Sequence, residues 1–263
     1  MFEVECGITF IYINMKATNT KQKTNWVSII TFYSLACLFS WPFFWWRDIE
    51  SESWALWNAP GLIKTASYMW GPGLSAIICF FIFKKTHQRT ITFFGTSTIK
   101  SLLFWFVPII ALSIFSLRGI DALVLPFTGF LITLGEELGW RGYLQDALRK
   151  VSPLQRYITI GVLWELWHFT NRMSGGWHIS TFIRVGIFII ALIIISYVMG
   201  ILTDKTKSLA IAVTFHAWIN ILFEVSTLNT YIVFGLSLPF WTYLIWTWEK
   251  PLRKNKASSV SKV

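Results

Sequence analysis

The residues Gly135-Glu136-Glu137-Leu138-Gly139-Trp140-Arg141 put two adjacent carboxylates at the end of an apolar run, 123–134. A charge at the centre of a membrane helix costs about 2.5–3.5 kcal/mol on insertion scales, so intramembrane acids are functional candidates by default. The competing reading is a pair that marks the membrane surface, where acids cost little. Helix geometry then separates the two. Glu137 and Arg141 are four apart, share a face and can pair. Glu136 is rotated away by about 100°. One acid is held by the arginine, and the other is left to act on something else.

The chain has four histidines. His87 lies between Lys85 and Arg89 and reads as solvated, and His178 sits in the loop 174–180. His168 and His216 lie inside short hydrophobic stretches. Trp164 precedes His168 by four residues, where an aromatic can shield the imidazole and hold its ring. Glu165 either bonds His168 or serves a channel, and the sequence leaves this open. His216 and Asn220 are also four apart and point the same way. Two donors on one face suit a developing oxyanion. The plainer use of each group is a hydrogen-bonded clamp between packed membrane helices. Taken together, Glu136, Glu137, Arg141, His168, His216 and Asn220 would place many costly groups in lipid for packing alone. A water-filled site in which a carboxylate activates water with imidazole help accounts for them more economically. Glu136, His168 and His216 are equally a set of three zinc ligands with an open fourth position. The histidine–glutamate helix motif of zinc proteases, a serine elbow and a glycine-rich phosphate loop are all missing from the sequence.

These groups need a scaffold. Of 263 residues, 54% are hydrophobic and 14% are charged, against about 25% charged in soluble domains. The composition predicts an all-α polytopic membrane helix bundle with the polar site buried inside it. About 20 apolar residues span the hydrocarbon core. Eight stretches qualify as spans: 27–46, 66–83, 101–117, 121–135, 157–170, 181–202, 209–223 and 230–248. The short ones, 157–170 and 209–223, carry His168 and His216 and read as buried in the bundle. Eighteen Lys and Arg fall on one set of alternating segments and five on the other. By the positive-inside rule both termini are cytoplasmic, and the formal charge of +10 reflects loops and anionic lipid headgroups rather than nucleic acid. Trp45, Trp46, Trp54, Trp57, Trp241, Trp246 and Trp248 near span ends read as interfacial anchors. Cys37 and Cys79 read as small core residues. Residues 1–25 lack a signal-peptide layout and form an N-terminal cytoplasmic segment, in which Met15 is a candidate true start.

The ordered trio Glu136-Glu137-x-x-x-Arg141, Trp164-x-x-x-His168 and His216-x-x-x-Asn220 resembles the CPBP family of intramembrane proteases. That family includes type II CAAX prenyl endopeptidases and bacteriocin-processing or immunity (Abi) proteins. The family pattern usually has Phe where this chain has Trp164. The resemblance covers roughly 123–223 and divides the chain into N-terminal transmembrane helices (26–120), a CPBP-like catalytic core (121–224), and a last helix with a basic cytoplasmic tail (225–263). It implies that Glu136 with His168 activates the water, that His216 and Asn220 stabilise the oxyanion, and that Glu137 and Arg141 orient the site. It also implies a glutamate-based endopeptidase without a metal cofactor, zinc being the alternative. The substrate would be a membrane-associated protein or peptide, of CAAX type or a bacteriocin-like peptide, in the cell membrane. A non-catalytic polytopic binding or self-immunity protein is the rival reading. A transporter is a weaker third, without an inverted repeat to support it.

The eight-span topology is open to direct test. Reporter fusions after Leu117 and after Lys207 are expected to read outside and inside respectively. Opposite signals at both positions would overturn the orientation.

Overall fold

The computed structural model describes residues 24–49, 66–115, 121–173, 178–225 and 227–249. Among the described residues the main α-helices are α1 (Trp26–Ile49), α2 (Gly71–Ile82), α3 (Thr98–Phe115), α4 (Asp121–Glu137), α5 (Pro153–Arg172), α6 (Ile179–Thr206), α7 (Leu209–Glu224) and α8 (Leu228–Trp246). A π-helical segment, Leu138–Leu144, continues α4 and ends in the short α-turn Gln145–Ala147. The expected all-α bundle is what forms, and each predicted span coincides with one α-helix. Residues Trp26–Phe44, Thr98–Phe115, Ile179–Thr206 and Leu228–Trp246 are long and apolar enough to cross a membrane. Ala66–Ile82 and Leu209–Phe223 are shorter apolar helices. The chain is an integral membrane protein. The candidate start Met15, Cys6, the acidic residues Glu50 and Glu52, Trp54, Trp57 and the basic tail lie outside the described residues.

Polar contacts at the helix ends put the starts of α1, α3, α5 and α7 on the same face as the ends of α2, α6 and α8. Asn25 Nδ2 donates to Thr86 Oγ1 at 3.4 Å. Lys100, only 2% exposed, caps the end of α8 by donating to the Thr247 and Trp248 carbonyls. The Trp248 indole donates to Thr96 Oγ1 at 2.8 Å, and Ser101 bonds Ser208 at 2.8 Å. Arg156 and Tyr157 at the start of α5 both bond Asp204 near the end of α6. At the other end of the bundle, Asn229 Nδ2 reaches the Phe115 carbonyl at 2.8 Å. Up-and-down alternation of eight helices produces this pattern, and it gathers Lys84, Lys85, Arg89, Lys100, Arg149, Lys150, Arg156, Lys205 and Lys207 on one face. Arg141 does not belong with them: it is fully buried, not a loop residue.

Glycine sets the closest helix approaches, as is usual where no hydrophobic force acts between membrane helices. A Cβ on Gly161 would stand 2.6 Å from Ile193 Cα, which is backbone of α6. Aromatic rings fill the rest of the core, including Phe32, Phe44, Tyr68, Trp140, Tyr143 and Trp167. Two expectations about side chains change. Trp241 is a core residue rather than an interfacial anchor, since its ring stacks on Phe104 at 4.7 Å and its N–H donates to the Phe104 carbonyl at 2.8 Å. Trp248 is likewise buried, while Trp246 stays 67% exposed. Pro72 sits in the first turn of α2, where its missing N–H breaks no helical bond. Cys37 and Cys79 are buried free thiols.

The close approach of α5 and α6 gives a stability prediction. Gly161→Ala is expected to cost about 1–3 kcal/mol by overpacking against backbone, outweighing the gain in helix propensity of about 1 kcal/mol. Gly235→Ala, in open space, should keep or raise stability. Thermal melting of both variants in detergent checks this, and equal melting temperatures would refute it.

Candidate active site

The site begins where α4 lies flush on α2. A Cβ on Gly73 would meet the Gly135 carbonyl oxygen at 2.7 Å, and one on Gly139 would meet Pro72 Cβ at 2.4 Å. Glycine on this face therefore allows α4 and the π segment to pack at backbone distance on α2. The neighbouring residues Glu136, Glu137 and Arg141 meet α5 and α7. The π segment starts directly after Glu137, and π-turns inside helices recur at functional sites.

Glu137 is the hub. It is fully buried, and its carboxylate takes Arg141 Nη1 at 2.9–3.0 Å, the pair predicted from spacing. The same carboxylate receives His216 Nδ1 at 2.8 Å from α7. With Nδ1 donating to a carboxylate, the neutral ring carries its lone pair on Nε2. The carboxylate–imidazole contact is the kind that fixes ring orientation in catalytic sites.

Glu136, 2% exposed, takes a different donor: the Trp164 indole N–H at 2.8 Å from α5. The Arg141 guanidinium lies over the Trp164 ring, 4.5 Å from its centroid, a cation–π contact. The same indole meets the His216 ring edge-on at 5.0 Å. One turn on, His168 Nδ1 donates to the Trp164 carbonyl at 3.1 Å. The His168 ring packs closest on Trp167, at 4.5 Å, while the Trp164 ring is 6.3 Å away. Trp164 thus holds His168 through its backbone rather than by covering the ring.

Three helices therefore bring Glu136, Glu137, Arg141, Trp164, His168 and His216 together. Asn220 lies one turn beyond His216 on α7, half-buried, and its side chain makes no hydrogen bond among the described residues. Glu165 belongs to another unit. It is fully buried and pairs with Arg172 Nε at 3.2 Å, while Arg172 lies over the Phe188 ring at 3.7 Å. Its role is a structural ion pair, neither of the two considered from sequence. His87 also changes: its ring stacks on Tyr143 at 4.4 Å instead of standing in solvent. Among the described residues no three His, Cys, Asp or Glu side chains are arranged to hold a metal ion.

Sequence spacing missed both interhelical bonds, Trp164 to Glu136 and His216 to Glu137. The second joins residues 79 positions apart. The only local signal for the first was that the aromatic four residues before His168 is a Trp and so has an N–H to give.

Breaking a buried pair by removing one partner costs about 3–5 kcal/mol, because the other charge stays buried. Glu137→Gln is expected to lower folded yield and melting temperature sharply, since Arg141 is fully buried. Glu136→Gln should leave both near wild type, because an amide oxygen still accepts from Trp164. Size-exclusion yield and melting in detergent check the pair, and an undiminished Glu137→Gln protein would show that Arg141 is neutralised elsewhere.

One family model, Rce1-like (type II CAAX prenyl endopeptidase Rce1-like), matches residues 118–222. That stretch runs from the edge of α4 through α7 and contains every residue of the cluster. No curated protein matches the chain. Over residues 118–222, the chain is similar to the Rce1-like type II CAAX prenyl endopeptidases.

Proposed function

We propose that the chain is an intramembrane endopeptidase that hydrolyses a peptide bond of a membrane-associated protein or peptide, with Glu136 and His168 activating the water. The observation that carries this reading is the pair of unlike environments for two adjacent acids. Glu137 is committed to a guanidinium and an imidazole. Glu136 accepts one neutral indole N–H and keeps basic character.

In the proposed reaction a water O–H bond breaks, and its proton passes to the Glu136 carboxylate. The water oxygen bonds to the scissile carbonyl carbon, giving a tetrahedral oxyanion. The C–N bond then breaks as the leaving amine takes the proton from Glu136. His168 assists the water: with Nδ1 donating to the Trp164 carbonyl, its neutral ring has the lone pair on Nε2, where it can accept from the water. His216 and Asn220 donate to the oxyanion. Donation from His216 Nε2 while Nδ1 donates to Glu137 takes the imidazolium form, which the Glu137 carboxylate would stabilise in the transition state. Glu137 and Arg141 hold the frame. The family match favours a substrate of CAAX type at a protein C-terminus.

Cleavage of prenylated and unprenylated C-terminal peptides by the purified protein tests the reading. Glu136→Gln is expected to lose at least about 100-fold in rate, the low end for acid–base catalysis, and wild-type activity should survive exhaustive chelation. Full activity in Glu136→Gln would remove the base role from Glu136, and a wild-type protein that cleaves neither peptide would make the cluster a structural device in a binding or immunity protein. Activity lost on chelation and regained with zinc would make His168 and His216 ligands instead.

A further inference from the structure

The role of Trp164 goes beyond that of an aromatic spacer. Its indole N–H donates to Glu136 Oε2 at 2.8 Å, within a fully buried contact. Its ring face carries Arg141 at 4.5 Å, its ring meets His216 at 5.0 Å, and its carbonyl receives His168 Nδ1 at 3.1 Å. The side chain is 1% exposed and so has one stable placement. One residue therefore touches the proposed base, its partner imidazole, the cation and the second imidazole. Only the first of these contacts requires a nitrogen in the ring. A phenyl ring could supply the stacking and edge contacts, and any residue could supply the carbonyl.

We propose that Trp164 is a positioning residue that aims the Glu136 carboxylate through its indole N–H, so that Oε2 is pinned and Oε1 is the oxygen presented to water. The proposal rests on Glu136 being the base. A hydrogen bond to a charged group is stronger than one between neutral groups, and it favours the ionised form of the acid. Losing it leaves the carboxylate free to rotate and makes ionisation harder to reach.

The test compares Trp164→Phe with wild type and Glu136→Gln in the same peptide-cleavage assay, with kcat and KM measured across pH. For Trp164→Phe, kcat at about pH 6 should fall roughly tenfold, consistent with one lost charge-assisted bond. KM should change less than about twofold, and the acidic limb of the rate profile should move to higher pH, so that part of the loss is recovered at about pH 9. A loss caused only by loosened packing would be the same at every pH. If the Phe variant does not fold, incorporation of benzothienylalanine at position 164 keeps the bicyclic shape, replaces the N–H by sulfur, and carries the same expectation. An unchanged profile and kcat in the variant that folds, with Glu136→Gln inactive, overturns the role of Trp164 and leaves the base assignment standing. Full activity in Glu136→Gln overturns the base assignment itself.

Discussion

A guanidinium with no exposure to solvent is the constraint around which this bundle is arranged. Arg141 is buried to 0% exposure, and it pairs with the carboxylate of Glu137, one helical turn back. Desolvating an ion costs several kcal/mol, and the attraction between the two offsets this only with good geometry and further hydrogen bonds. Here the further bonds come from other helices. His216 of α7 donates to the Glu137 carboxylate, and Trp164 of α5 lays its ring against the guanidinium. The ion pair therefore fixes the rotation of α5 and α7 relative to α4. Turning either helix about its axis would remove one of these contacts from the buried pair.

Rotation alone does not set depth, and a second group of contacts does that from the basic face. Asp146, just past the π segment, accepts from Thr90 N at 2.6 Å and Thr90 Oγ1 at 2.8 Å, and it also pairs with Arg149. Gln145 donates to Asp204 at 2.9 Å, and Asp204 is the acid that receives Arg156 and Tyr157. The loop that follows α2, the start of α5 and the end of α6 are thus tied to the two residues that follow the π segment. Sliding α4 along its axis would break these bonds together. The site lies between the glycine contact with α2 and this clasp, and rigid elements hold a constellation more closely than loops do.

The eight helices were readable because apolar run length is a local property, and their order follows from it. The Glu137–Arg141 pair was readable for the same reason, since a spacing of four survives entry into the π segment. What crosses between helices was not. Whether Trp164 aims its N–H at Glu136, and whether His216 reaches Glu137, depends on helix crossing and rotation. Those are set by distant small residues such as Gly73 and Gly161. Glu165 was left open for a related reason: its partner Arg172 is seven residues on, two turns along the same helix, beyond the three- and four-residue spacings that mark neighbours. Trp241 was misplaced because nearness to a span end says nothing about which way a ring faces; a packing partner, Phe104, turns it inward. Proximity to Lys and Arg likewise hid the stacking of His87 on Tyr143.

Adjacent acids on one helix cannot share an environment, and this is what the doublet exploits. A single residue step turns Glu137 toward a guanidinium and an imidazole and Glu136 toward an indole N–H. Two such partners make the first a poor base and a good anchor. One N–H leaves the second with acceptor capacity while still restricting its rotamers. In the proposed mechanism the anchor also protects the base, because the Arg141 charge near Glu136 is already matched by Glu137 and is not available to form a closed pair with it. A lone glutamate beside the same arginine would be captured as its counter-ion. In the proposed mechanism the second carboxylate is therefore needed for the first to remain reactive, although it takes no proton from water itself.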